Sequence, residues 1–180
     1  MSANETTLHY SHNLQNWTLT TNDNCGSIAA WHAVELEGIT TTENQYLTLS
    51  LNAIGADAEL VFNHWFNTEA NWDGGTVEIS DDGGSSWTDL EPYMTQNGYN
   101  KNNPTDSAFA GSSEGCIETK IDLSDFSGAN ALIRFNFYYD YYEAGDGWYI
   151  NDVSIISNDA VTSIAYLNSN QNNDSDYAGV

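Results

Sequence analysis

Apolar side chains recur at every second position along several short stretches of the chain, which is the period of a β-strand. In the run after Gln45 the three leucines share one face, and Thr48 and Ser50 share the other. The residues from 131 to 139 form the strongest such run. We predict strands at Ala29–Glu37, Gln45–Leu51, Glu59–Asn67, Gly75–Ser80, Cys116–Leu123, Ala131–Tyr139 and Trp148–Ile156.

The segment Glu59–Asn67 is apolar on both faces. Leu60, Phe62, His64 and Phe66 alternate with a second set that includes Val61 and Trp65. A strand with two partly apolar faces is typical of the centre of a sheet, so we predict that this strand is central and that His64 is half-buried there.

No long window shows the 3.6-residue period of a helix, so crossover helices and a parallel sheet are not expected. We predict one all-β domain, an antiparallel β-sandwich of the jelly-roll type, over residues 1–158. The residues up to Cys25 are predicted to be irregular, residues 91–113 to form a long surface loop, and residues 159–180 to be a partly disordered tail or linker.

The charge balance is extreme, since 26 Asp and Glu face three basic residues, for a net charge of -23. Such a field repels nucleic acid and anionic membranes, so we expect neither as a partner. No apolar run reaches the length of a membrane-spanning helix. Self-repulsion of this size favours a compensating ion, and divalent cations would serve.

Cys25 and Cys116 are the only cysteines. Two cysteines in a chain of this composition predict one disulfide and therefore an oxidising, extracellular compartment, with the export signal outside this segment. The alternative is two unpaired buried thiols. Their spacing from other Cys and His residues matches no zinc or redox motif.

Two segments resemble a known family. The stretch FNHWFNTE at 62–69, continued by DGGTVEIS at 73–80, resembles the central hairpin of MAM-like domains, which occur in immune-inhibitor-A-type metallopeptidases and other secreted bacterial proteins. The stretch GWYINDVSI at 147–155 is similar to the closing strand of that family. The resemblance implies a jelly roll in which the last two core strands lie beside the first hairpin.

The residues from Ser80 to Trp87 match the Asp-box pattern Ser-x-Asp-x-Gly-x-x-Trp. In this pattern an aspartate side chain ties the turn, a glycine takes a positive φ and the tryptophan packs beneath the hairpin. Sialidase propellers carry several copies, so one copy indicates a structural turn.

Five carboxylates flank the turns that the resemblance brings together: Glu69, Asp73, Asp140, Asp146 and Asp152. Calcium takes six to eight oxygen ligands from carboxylates, amides and carbonyls, so we predict a Ca²⁺ site at this end of the sandwich. The alternative is that these residues are ordinary solvated loop acids.

Aromatic residues crowd the same turns. Trp72, Tyr141 and Tyr142 are the candidates for an exposed ligand surface, since rings beside carboxylates and calcium suit carbohydrate. The alternative is that these rings belong to the core.

Catalysis has weaker support in the sequence. His64 lies outside any His-Glu-x-x-His motif, and no serine-hydrolase elbow or phosphate-binding loop occurs. A glycoside hydrolase would need a carboxylate pair spaced for acid and base, and the strands carry isolated acids such as Glu59 and Glu78.

The sequence therefore predicts a secreted, non-catalytic, calcium-binding accessory or adhesion module with carbohydrate as its candidate ligand. Neighbouring domains of a larger protein, or a surface glycan or protein, are the expected partners. The alternative is a structural spacer whose only ligand is calcium, and a glycoside hydrolase comes third.

Overall fold

The computed structural model describes residues 9–10, 17–21, 24–27, 29–35, 41–103, 106–157 and 160–163. These residues form two antiparallel sheets packed against each other and a separate two-stranded ribbon, which confirms the predicted all-β sandwich. Within these ranges no helix is long and apolar enough to cross a membrane.

The first sheet has five strands in the spatial order β1-β4-β12-β6-β7. Its strands are β1 (His9–Tyr10), β4 (Glu43–Leu51), β6 (Gly74–Ser80), β7 (Thr88–Asp89) and β12 (Ala131–Tyr139). The strongest alternating run of the sequence, β12, lies at the centre of this sheet, between β4 and β6.

The second sheet follows the order β2-β3-β13-β5-β11-β8, and β14 pairs with the far part of β13. Its strands are β2 (Trp17–Thr20), β3 (Ala30–Ala33), β5 (Glu59–Asn67), β8 (Met94–Gln96), β11 (Ile117–Asp122), β13 (Gly147–Ser157) and β14 (Ala160–Ser163). The predicted central position of the strand at 59–67 is confirmed, because β5 lies between β13 and β11.

Several edge elements were missed by the sequence prediction. The stretch before Cys25 contains β2, whose Trp17 is core, and the predicted long loop contains β8 and the ribbon of β9 (Lys101–Asn103) and β10 (Asp106–Ala108). These strands are three or four residues long, too short for alternation to show. The predicted boundary at residue 158 falls between β13 and β14, which pair with each other.

Aromatic side chains fill the space between the sheets. Phe135 of β12 contacts Phe62 of β5, with ring centroids 5.1 Å apart, and Trp148 of β13, at 5.9 Å. Gly75 of β6 faces the Trp148 ring so closely that a Cβ there would lie 2.3 Å from it. Glycine is therefore required where β6 passes over the tryptophan.

His64 is fully buried in this core, where the sequence predicted half-burial. The Trp148 indole N–H donates to His64 Nδ1 over 3.1 Å, and His64 Nε2 lies 2.8 Å from Thr119 Oγ1, which donates to the Asn97 carbonyl. Since an indole can only donate, Nδ1 accepts and Nε2 carries the proton. Burial lowers the pKa of His64 to about 3, so the ring is neutral.

The Asp-box hairpin joins β6 to β7 as a structural turn. One carboxylate oxygen of Asp82 accepts the hydroxyl of Ser80 and the backbone N–H groups of Ser85 and Ser86. These bonds, with that from the Ser86 hydroxyl, hold the pKa of Asp82 well below its usual range. The aspartate thus ties the turn, as its motif predicts.

The predicted disulfide is present between Cys25 and Cys116, with 4.9 Å between their Cα atoms. It fastens the segment between β2 and β3 to the residue just before β11, across the second sheet.

Candidate functional site

The turn between β5 and β6 brings two carboxylates together at one end of the sandwich. The Glu69 carbonyl accepts the backbone N–H groups of Trp72, at 3.3 Å, and of Asp73, at 3.1 Å. This tight turn places the two acids near each other, and Asp73 immediately precedes β6, where it is fully buried.

The third carboxylate lies at the end of β12, the central strand of the first sheet. Asp140 directly follows β12, and its backbone N–H donates to Asp73 Oδ1 over 2.9 Å because β12 pairs with β6. One carboxylate oxygen from each of Glu69, Asp73 and Asp140 lies within 4.8 Å of the other two. Three of the five predicted ligands therefore converge.

A fourth carboxylate, that of Glu35, was missed by the sequence prediction. It follows β3, is only 6% exposed, and accepts the backbone N–H of Gly145. Its carboxyl group lies within hydrogen-bonding reach of that of Asp73. Gly145 is needed for this approach, since a Cβ there would lie 2.3 Å from the Asn67 carbonyl oxygen. We call Glu35, Glu69, Asp73 and Asp140 the acidic cluster.

Three oxygens of the acidic cluster are buried and meet no donor: Glu35 Oε1, Glu69 Oε2 and Asp73 Oδ2. An ionised carboxylate is an acceptor only, so its oxygens cannot satisfy one another. Burying such charges without a partner costs several kcal/mol per ion. Protons or a bound cation would compensate this arrangement.

The pKa values of three carboxyl groups in the acidic cluster are raised, so these groups hold their protons more tightly than free carboxyl groups do. Burial raises the pKa of Glu35 to about 7, and the neighbouring charges of Asp73 and Glu69 add to the rise. Burial also raises the pKa of Asp73, with a contribution from Asp140. Partial burial and the charges of Asp140, Asp73 and Glu143 raise the pKa of Glu69.

The other two predicted ligands, Asp146 and Asp152, lie outside the converging group. The Asp146 carboxylate accepts the Asn67 side-chain amide at 2.7 Å. Asp152 lies where the pairing of β13 with β5 shifts register, and it accepts the Ser27 hydroxyl at 2.9 Å and the Asn63 amide at 3.2 Å. Its position within the strand, away from the strand end, separates it from the acidic cluster.

The three predicted ligand-binding rings are exposed. Trp72 is 64%, Tyr141 50% and Tyr142 72% exposed, and they are three of the four large apolar side chains that are exposed in the described part of the chain. Tyr142 is held by its backbone N–H, which donates to Asp140 Oδ1 over 2.9 Å. We call these three residues the ring surface, and it adjoins the acidic cluster in sequence and by hydrogen bonds.

Known proteins similar to this chain confirm the resemblance read from its sequence. A family model described as "Immune inhibitor A-like, MAM domain" matches residues 15–175. Bacillopeptidase F of Bacillus subtilis (strain 168) is 30% identical over 94 residues, which cover 52% of the chain and 5% of that peptidase. The chain therefore spans only a small part of this relative's length.

Two solved structures are similar to this chain at low identity. The K2 cleaved adhesin domain of Lys-gingipain is 18% identical with a TM-score of 0.46, over 85% of this chain and 89% of that one. The CBM27-1 module of Caldicellulosiruptor saccharolyticus, solved in complex with mannohexaose, is 11% identical with a TM-score of 0.41, over 82% and 88%.

Proposed function

We propose that this chain, which belongs to the immune inhibitor A-like MAM domain family, is a non-catalytic accessory module that binds Ca²⁺ through its acidic cluster. The observation that carries the proposal is the convergence of buried carboxylate oxygens that meet no donor, in a chain of net charge -23. The disulfide and the peptidase relative support an extracellular location within a larger protein.

Calcium fits the acidic cluster because its ligands are hard oxygens supplied by separate parts of the fold. Glu69, Asp73 and Asp140 provide three carboxylates within reach of one ion, Glu35 adds a fourth beside Asp73, and Ca²⁺ completes six to eight ligands with backbone carbonyls and water. A bound ion would replace the protons that these groups otherwise hold. It would also fasten β3, the turn before β6 and the turn after β12 to one another.

The test is calcium-dependent stability. Extracellular calcium modules bind with Kd values of about 0.1–1 mM. At roughly 10 mM calcium, mass action then stabilises the fold by about 1.4–2.7 kcal/mol, or about 3–10 °C in Tm for a domain of this size. Asp73→Asn, which removes a charge from the fully buried ligand, should abolish most of this rise.

The matched control is Asp125→Asn, which makes the same change at an exposed residue. Asp125 lies before the start of β12, whereas Asp140 of the acidic cluster follows the end of that strand. This variant should keep the full calcium response. Sodium chloride at equal ionic strength separates specific binding from screening. A wild type whose Tm in calcium equals its Tm in that salt would refute the metal site.

The ring surface supports a second proposed function, attachment to carbohydrate. Exposed Trp72, Tyr141 and Tyr142 can stack against the C–H faces of sugars, and the adjoining carboxylates can accept hydroxyl groups. A glycan array probed with the wild type and Trp72→Ala tests it. Tm shifts in calcium with no array binding would leave the module as a calcium-stabilised spacer.

A further inference from the structure

The ring surface lies on two turns that are fastened together. Trp72 belongs to the turn before β6, and Tyr141 and Tyr142 belong to the turn after β12. The turns are joined by the bond from the Asp140 N–H to Asp73 and by a backbone bond from Glu143 to the Glu69 carboxylate. The two tyrosine rings contact each other with centroids 4.3 Å apart and hydroxyls 3.0 Å apart. The turn that carries Trp72 is thus fastened to the turn that carries the two tyrosines.

The charge around the ring surface is entirely negative in these two turns, which carry Glu69, Asp73, Asp140, Glu143 and Asp146. The three Lys and Arg side chains of the chain each have a partner outside these two turns. They are paired as Lys101 with Tyr138, Lys120 with Glu118 and Arg134 with Glu78. A ligand that brings positive charge is therefore favoured here, and an anionic one is repelled.

The chain already uses this combination of rings, carboxylate and cation on the outer face of the first sheet. The Arg134 guanidinium lies 4.0 Å from the centroid of the Trp87 ring and 4.7 Å from that of Tyr46, while its Nε donates to the Glu78 carboxylate. A cation over an aromatic face gains electrostatic energy from the ring quadrupole. The ring surface offers rings and carboxylates of the same kind, and they face solvent.

We propose that the ring surface binds a polysaccharide bearing protonated amino groups, of the class of glucosamine polymers. The sugar C–H faces stack on Trp72 and the tyrosines, and the ammonium groups meet Asp140 and Glu143. This inference rests on the carbohydrate function proposed above and adds the charge of the ligand to it. Calcium in the acidic cluster removes part of the negative field, so it should weaken this binding without abolishing it.

The experiment compares two oligosaccharides that differ only in acetylation, the hexamer of glucosamine and the hexamer of N-acetylglucosamine. Isothermal titration of the whole chain is done in slightly acidic, low-salt buffer. We expect the glucosamine hexamer to bind about tenfold more tightly, because it alone brings ammonium groups to the carboxylates beside the rings. Trp72→Ala should weaken it at least about tenfold, and Leu19→Ala, at the other exposed apolar side chain, should leave it unchanged.

Three other results would overturn part or all of this inference. Equal affinity for the two hexamers overturns the charge argument and leaves carbohydrate binding intact. Binding of poly-lysine at the ring surface, with no binding of either hexamer, overturns the ligand class in favour of a basic polypeptide. Binding of no ligand overturns both this inference and carbohydrate attachment. The Tm rise in calcium, measured on the same variants, reports on folding and on the metal site independently.

Discussion

Glu35 offers a test in which one substitution changes stability in opposite directions with and without metal. The residue is 6% exposed, and its carboxyl group lies within hydrogen-bonding reach of that of Asp73 and accepts the Gly145 N–H. In the metal-free protein above neutral pH it must be ionised there. Glu35→Gln keeps the shape and an acceptor for Gly145 but removes this charge.

The magnitude follows from the raised pKa, which moves from 4.5 to about 7 on folding. Between these values the folded state holds a proton that the unfolded state has released, so metal-free stability falls as pH rises from 4.5 to 7 and is lowest above 7. A shift of about 2.5 units corresponds to about 3 kcal/mol at most. Solvent at the end of the sandwich screens part of this, and we expect about 1–3 kcal/mol.

The assay is urea unfolding with chelator and with calcium. In chelator at pH ~8, Glu35→Gln should be more stable than the wild type by that amount, and the gap should close below about pH 4.5, where the wild-type carboxyl is protonated in both states. In calcium the order should reverse, because an amide binds the ion more weakly than a carboxylate. The control Glu91→Gln, at an exposed position, should stay within about 0.5 kcal/mol of the wild type.

The reasoning about Glu35 is refuted if the variant loses the same stability at every pH and in both media. That result would make the carboxyl a packing residue with no share in the charge of the acidic cluster.

Two further predictions concern the core and the disulfide. The Cys25–Cys116 bond joins residues 91 apart in sequence, and the chain-entropy model assigns the closure of such a loop a stabilisation of about 4–5 kcal/mol. The double variant Cys25→Ser, Cys116→Ser should therefore unfold at a lower urea concentration than the wild type. An unchanged urea midpoint would contradict this. Because burial lowers the pKa of His64 to about 3, the unfolded state binds its proton first, and stability should fall by up to about 1.4 kcal/mol per pH unit on acidification below 6.5. His64→Gln should lose this slope, and an NMR titration that finds the folded ring protonating near 6.5 would overturn the assignment.

The sequence by itself determined the elements that bury one full face. β12 alternates strictly because every second side chain enters the core, whereas β5 is apolar on both faces because it lies at the centre of its sheet, and the structure confirms both strands. It also predicted that Glu69, Asp73 and Asp140 converge, since each lies within a few residues of a strand end, and the structure brings these three carboxylates together. The sequence also predicted that aromatic rings and carboxylates occur together in these two turns, because they are close neighbours along the chain.

Only the tertiary structure decided which of these groups meet. Glu35 joins the acidic cluster because β3 pairs with β13 and because Gly145, which has no side chain, fits against the Asn67 backbone and donates its N–H to Glu35. No local sequence pattern predicts this contact. Asp152 was predicted to join the site because, with Asp140 and Asp146, it brackets the last two core strands, but it lies at a register shift within β13, where it contacts Asn63. Strand periodicity depends on neighbours one or two residues away, whereas a binding site depends on pairing across the sheets, and that is decided when the core packs.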